Sequence, residues 1–171
     1  MHSDSARLRR LTESLQQVDE LTELVLKCHL LLEEQLDSIL EHILPWEGGL
    51  EKLQLTFARK AVLARCFSRD PEHKAWRLVD ALNAVRNSLA HRLPDRRDAQ
   101  ATVYFIKAYE PFRDEGESSE FGLGMIYLAS AFLAGFLNCC EADAEMDGSI
   151  LKELRASKKR IIEKLAERRD V

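Results

Sequence analysis

Turn-forming residues are scarce in this sequence of 171 residues. Its four prolines and seven glycines are too few to punctuate a many-stranded sandwich, but enough to separate a handful of long helices. Cysteine is equally sparse. Cys28, Cys66, Cys139 and Cys140 form no Cys-x-x-Cys pair and fall inside helical patterns, which argues against a disulfide frame and against a zinc site. The opening Met1-His2-Ser3-Asp4-Ser5 lacks a basic stretch followed by an apolar run, and no apolar stretch is read as a membrane span of about 20 residues, so a cytoplasmic protein without membrane association is expected. P-loop, GxGxxG, HExxH and serine-nucleophile patterns are also missing. Nucleotide hydrolysis, dinucleotide redox chemistry and zinc proteolysis therefore have no residues to stand on, and neither a cofactor nor a metal is expected.

Hydrophobic residues make up 46% and charged ones 32%, ordinary values for a chain that buries a core. The length fits a single domain over residues 1–171, with a core over about 19–140 and a C-terminal helix over about 149–168. The net charge of −4 speaks against indiscriminate nucleic-acid binding, but the charge is unevenly spread. Between Lys52 and Arg97 eleven Lys and Arg face four acids, a local balance of +7 that leaves −11 for the remainder. Such a basic centre is expected of a localised phosphate-facing surface, and also of a solvated helix pair.

Hydrophobic periodicity supplies the elements. A short polar helix is read over Asp4 to Val18. A longer one runs from about Asp19 to Leu44, where Leu21, Leu24, Val25, Cys28, Leu32, Leu36, Ile39, Leu40 and Ile43 recur every three or four residues. Pro45 and Gly48-Gly49 stop it. Further helices are expected over Leu53 to Phe67, from near Glu72 to His91, and more weakly over Asp98 to Glu110, with an exposed loop over Arg113 to Glu120. The apolar stretch Phe121 to Cys140 is read as a buried core helix, Glu141 to Gly148 as an acidic turn, and the remainder as a basic amphipathic helix. Short connections favour antiparallel neighbours, so the fold expected is an all-α, up-down antiparallel bundle of four to five principal helices with minor flanking ones.

One segment concentrates functional groups: Leu82-Asn83-Ala84-Val85-Arg86-Asn87-Ser88-Leu89-Ala90-His91. On a helix Asn87 and His91 share a face, as do Arg86 and Ala90, and Pro94 ends the element just beyond. The negative end of the helix dipole favours a protonated imidazole at such a position. This string resembles the signature of the HEPN superfamily, an Arg followed by a polar residue and, four to six positions after the Arg, by a His. The similarity extends over about residues 19–140, through Leu30-Leu31-Leu32-Glu33-Glu34, a basic helix and the motif helix. It implies a helical bundle that dimerises, with Arg86, Asn87 and His91 from two protomers meeting at the interface to cleave RNA without a metal. HEPN toxins paired with a nucleotidyltransferase antitoxin often carry a Tyr two residues after the His; here that residue is Leu93. Size and motif context are also similar to mannitol-operon-repressor-like helical proteins, for which catalysis is not implied.

The chemistry can be argued without the family. Attack by a 2′-hydroxyl on the neighbouring phosphate needs a base, an acid at the leaving 5′-oxygen and positive donors to the phosphorane. Two His91 and two Arg86 in a homodimer form that set, with Asn87 orienting phosphate or imidazole. Arg59, Lys60, Arg65, Arg92, Arg96 and Arg97 are the expected RNA-binding rim. His29 is read as paired with Glu33, His42 and His73 as solvated, and Trp46 and Trp76 as core or interface anchors. Two functions remain open: a metal-independent endoribonuclease in a toxin, defence or RNA-processing setting, and a non-catalytic regulatory protein using the same fold. The partners to match are RNA, and an antitoxin or regulatory protein.

Overall fold

The computed structural model describes residues 20–44, 49–91 and 97–167. Among these residues it is all-helical, with no strand: α1 (Glu20–Ile43), α2 (Gly49–Leu53), α3 (Phe57–Phe67), α4 (Ala75–His91), α5 (Arg97–Tyr109), a 3-10 turn (Glu110–Phe112) and α6 (Leu123–Glu167). The helix expected over Asp4 to Val18 lies outside the described residues, as does Trp46. The chain divides into two compact units. One holds α1 as far as Leu31 with Arg77–Leu133; the other holds Leu32–Trp76 with the chain from Ala134 on.

In the first unit the α1 stripe read from the sequence gives Val25 and Cys28 to the core, with Leu21 and Leu24 half-buried. Val25 and Cys28 of α1, Leu78, Val79, Leu82 and Val85 of α4, Phe105 of α5, and Ile126, Ala129 and Leu133 of α6 are all buried. Two aromatic pairs tie in the segment between α5 and α6: Phe105 meets Phe121 edge-on at 5.8 Å, and Phe112 stacks on Phe132 at 4.3 Å. Tyr109 is buried, and its hydroxyl donates to Glu117 Oε2 at 2.8 Å across the expected loop. Burial, and then the hydrogen bond and charge of Glu117, push its pKa from 10.0 up to about 12. A phenol whose pKa rises on folding stabilises the native state fully below its unfolded pKa, and that contribution fades as pH climbs from about 10 to about 12. The stability of the native chain should therefore fall more steeply over that window than that of Tyr109→Phe. Denaturant titrations on either side of it give the comparison, and parallel pH profiles would show that the bond contributes nothing.

In the second unit Leu32, Leu36, Ile39 and Leu40 of α1, Phe57, Ala61 and Ala64 of α3, Trp76 of α4, and Leu137 and Ala144 of α6 are all buried. Leu53 and Phe57 do not share a helix as the periodicity suggested. Gln54 takes a left-handed φ of 46°, which closes the short α2, and α3 starts afresh at Phe57 behind Thr56. The next helix starts at Ala75 rather than near Glu72, because His73 Nδ1 accepts the Ala75 N–H at 3.2 Å and so caps it. His73 is not solvated as expected. It is half-buried and stacks on Phe136 at 4.8 Å. Trp76 is a core anchor, 2% exposed, with its indole N–H on Asp70 O at 3.2 Å.

The acidic turn expected at Glu141 to Gly148 is helix, so α6 runs unbroken for 45 residues. Its acids have helical uses: Ser38 donates to Glu141, and Arg69 pairs with Asp143 at 3.0 Å and Asp147 at 3.3 Å. Gly148 marks a close crossing, because a Cβ there would lie 2.3 Å from the carbonyl oxygen of His42. The stretch from Phe121 on is also less buried than expected. An 18-residue window of this helix is long and apolar enough to cross a membrane, with mean hydropathy 1.7, and only 33% of it is buried. Leu123, Tyr127 and Leu128 are exposed.

Candidate functional site

The last turns of α4 carry the site. Leu82 and Val85 fix the helix by burial, with positions 83 and 86 half-buried at the margin of that face and positions 87 and 90 exposed. Arg86 is half-buried and Asn87 exposed. Arg86 Nη1 donates to Asn87 Oδ1 at 3.1 Å. The arginine Nε is buried and has no hydrogen-bond partner, which leaves one donor of the guanidinium fork unsatisfied within the protein. His91 is the last residue of α4, and its side chain lies outside the described ones. The structure thus brings Arg86 and Asn87 together and leaves the third member of the triad placed by its backbone alone.

The sequence reading did not include a second polar pair on the same helix. His29 of α1, 5% exposed, donates from Nε2 to Asn83 Oδ1 at 3.2 Å. Asn83 stands one turn before Asn87 and three residues before Arg86, hence on the same face. A buried imidazole thus bonds to the motif helix, and the 54 residues between the partners hid the pair from local spacing. The signal the sequence held was that Asn83 lies within the motif string, four residues before Asn87.

The basic rim is unevenly described. Arg59, Lys60 and Arg65 sit on α3 in the second unit, whereas Arg86 and Asn87 belong to the first. Arg92 and Arg96 lie outside the described residues, and of Arg97 only the backbone, at the start of α5, is described. Arg59 is exposed. Lys60 is held between Asp37 Oδ2 at 2.7 Å and Glu33 Oε1 at 2.9 Å. Burial pulls its pKa down, but the hydrogen bonds to Asp37 and Glu33 outweigh that and raise it, so the ammonium stays charged. Arg65 donates from Nε to the Pro71 carbonyl and stands 3.5 Å from Glu72.

Among the described residues no group of three or more His, Cys, Asp or Glu side chains is arranged to hold a metal ion. The four cysteines are free: Cys28 is buried, Cys140 half-buried, Cys66 and Cys139 exposed. Burial pushes the Cys140 thiol above its ordinary pKa, against a lowering hydrogen bond from Ser68.

What the arrangement can do is bind and polarise an anionic oxygen. A guanidinium oriented by a neighbouring amide, on the final turns of a helix whose last residue is a histidine, offers a planar donor to such an oxygen. Comparison of the chain with protein-family models, with curated proteins and with solved structures finds no match.

Proposed function

We propose that the chain is a HEPN-like, metal-independent endoribonuclease that cleaves RNA through a composite Arg86/His91 site at a homodimer interface, in a cytoplasmic toxin, defence or RNA-processing system. The observation that carries this reading is the Arg86 side chain. It is oriented by Asn87 at 3.1 Å and keeps a buried Nε without an acceptor, five residues before His91. In the proposed reaction one His91 takes the proton of the 2′-hydroxyl as it attacks the adjacent phosphorus. The symmetry-related His91 gives a proton to the departing 5′-oxygen, and the Arg86 guanidiniums bind the phosphoryl oxygens as charge builds there. Bond making and breaking balance within the RNA: one P–O bond forms, one breaks, and the products are a 2′,3′-cyclic phosphate and a free 5′-hydroxyl.

Product ends test this directly. Single-stranded RNA incubated in EDTA should yield 2′,3′-cyclic or 3′-phosphate termini, resolved by mass spectrometry. Products with 5′-phosphate, or cleavage that requires a divalent metal, would exclude the mechanism. The second reading is a non-catalytic regulatory protein with a protein partner. It is favoured by the internal engagement of Lys60 and Arg65, which binds two of the proposed RNA contacts to the protein's own acceptors.

A further inference from the structure

Beyond Gly148 the long helix α6 loses its cover. Ala144 and Gly148 are buried, but every described side chain from Ser149 to Arg160 is exposed. The exposed residues include large apolar ones: Met146 at 55%, Ile150 at 50%, Leu151 at 41% and Leu154 at 61%. The helix nevertheless continues to Glu167, about 27 Å past Ser149 at 1.5 Å per residue. Most helical stability in water comes from packing an apolar face and little from propensity, so a stretch of this kind calls for a partner.

The charge along α6 identifies that partner. From Glu141 to Asp147 the helix carries Glu141, Asp143, Glu145 and Asp147 and no base; from Ser149 to Arg160 it carries Lys152, Arg155, Lys158, Lys159 and Arg160 against Glu153 alone. Met146, Ile150 and Leu154, one turn apart, straddle the junction. A helix that is acidic before its exposed apolar centre and basic after it is complementary to itself in one orientation only. We propose that a second copy of this chain covers the Met146–Ile150–Leu154 face, the two α6 helices running antiparallel about a two-fold axis near Ile150.

In that register Ile150 meets its own mate, Met146 faces the mate's Leu154, and position 145 (Glu) opposes position 155 (Arg). Parallel pairing would set acid on acid and base on base. An anionic lipid or nucleic-acid surface would suit the basic half but would meet the exposed Glu145 on the same helix. The face is distinct from the α4 motif and does not depend on the ribonuclease reading.

Cysteine cross-linking of the full-length chain, in a Cys66→Ser, Cys139→Ser background, tests the pairing. Ile150→Cys should form a covalent dimer on mild oxidation, and a mixture of Met146→Cys and Leu154→Cys chains should cross-link to each other. Glu163→Cys should not, because in the antiparallel pair it stands about 39 Å from its mate. Ile150→Glu, at an exposed site, should keep native helicity and raise the dimer Kd at least about tenfold by sedimentation. Equal cross-linking at 150 and 163 would overturn the proposal in favour of a parallel pair. So would a dimer indifferent to Ile150→Glu, a monomer throughout the micromolar range, or pelleting with phosphatidylserine vesicles that Ile150→Glu abolishes. RNA cleavage is scored separately with Arg86→Ala: a dimer that survives Ile150→Glu with cleavage still dependent on Arg86 overturns the α6 pairing alone, cross-linking at Ile150→Cys without cleavage overturns the ribonuclease reading alone, and a monomer throughout overturns both.

Discussion

Alanine at His91 or at Arg86 is expected to lower cleavage of single-stranded RNA by about a hundredfold to ten-thousandfold, the range over which a positioned acid–base group or a preorganised charge contributes. Each change removes a different component. In the proposed mechanism, loss of His91 leaves no group to exchange the 2′-hydroxyl proton, whereas loss of Arg86 deprives the phosphorane of its donors and leaves proton transfer in place. Arg86→Lys should recover only part of the rate, because an ammonium keeps the charge but lacks the planar fork and the geometry that Asn87 now orients at 3.1 Å. Asn87→Ala should be milder than either.

The control on this result is folding. Asn87 is exposed, and exposed substitutions usually stay within about 0.5 kcal/mol. Arg86 is half-buried, and its Nε lacks a partner. Truncating it removes packing by the aliphatic stem but also removes an unsatisfied buried donor, effects of opposite sign. A near-native unfolding midpoint with lost cleavage is the expected combination. Full cleavage by His91→Ala would refute the catalytic role, and a collapse of stability in Arg86→Ala would mark the motif as structural. His29→Ala and Asn83→Ala extend the series. If the buried pair positions the motif helix, both should lower the rate without changing the chemistry of the product ends.

The parts of this molecule that were legible in the sequence are those set by local periodicity. The buried stripe of α1, the end of α4 at His91 and the loop after α5 follow from apolar spacing and from turn residues, which are properties of a few consecutive positions. Contacts between distant positions were not legible. Lys60 reads as a free cation until α3 is laid against Glu33 and Asp37, and His29 shows its acceptor only when α1 meets Asn83. Gln54 carries no turn signature, yet its left-handed backbone splits what the Leu53–Phe57 spacing joined. For the site, the segment 86–91 was named by its residue types. The bond between its first two members is a fact of three dimensions.

The run from Glu141 to Gly148 shows how a composition that suggests a turn can serve a helix, and it sets up the second large effect. Asp143 and Asp147 with a terminal glycine read as a turn because aspartate and glycine disfavour helix interiors unless something compensates. Here Ser38 and Arg69 compensate the acids, and the glycine answers a steric demand. A Cβ at Gly148 would stand 2.3 Å from the His42 carbonyl oxygen and 3.2 Å from its carbon. Both are backbone atoms at the end of α1, which cannot rotate away as a side chain would. Gly148→Ala should therefore destabilise the protein by about 1–3 kcal/mol, the usual range for overpacking, although alanine itself favours helix by about 1 kcal/mol. That corresponds to a fall in Tm of roughly 2–12 °C for a chain of this size. Gly135 supplies the contrast. It lies on the exposed face of the same helix with nothing within 4 Å of an added Cβ, so Gly135→Ala should raise stability by about 0.5–1 kcal/mol through propensity alone. Thermal unfolding of the two variants beside the native chain decides the matter. Opposite shifts establish the close crossing of α6 and α1 at Gly148, whereas a stabilised Gly148→Ala would mean that the two backbones do not approach one another there.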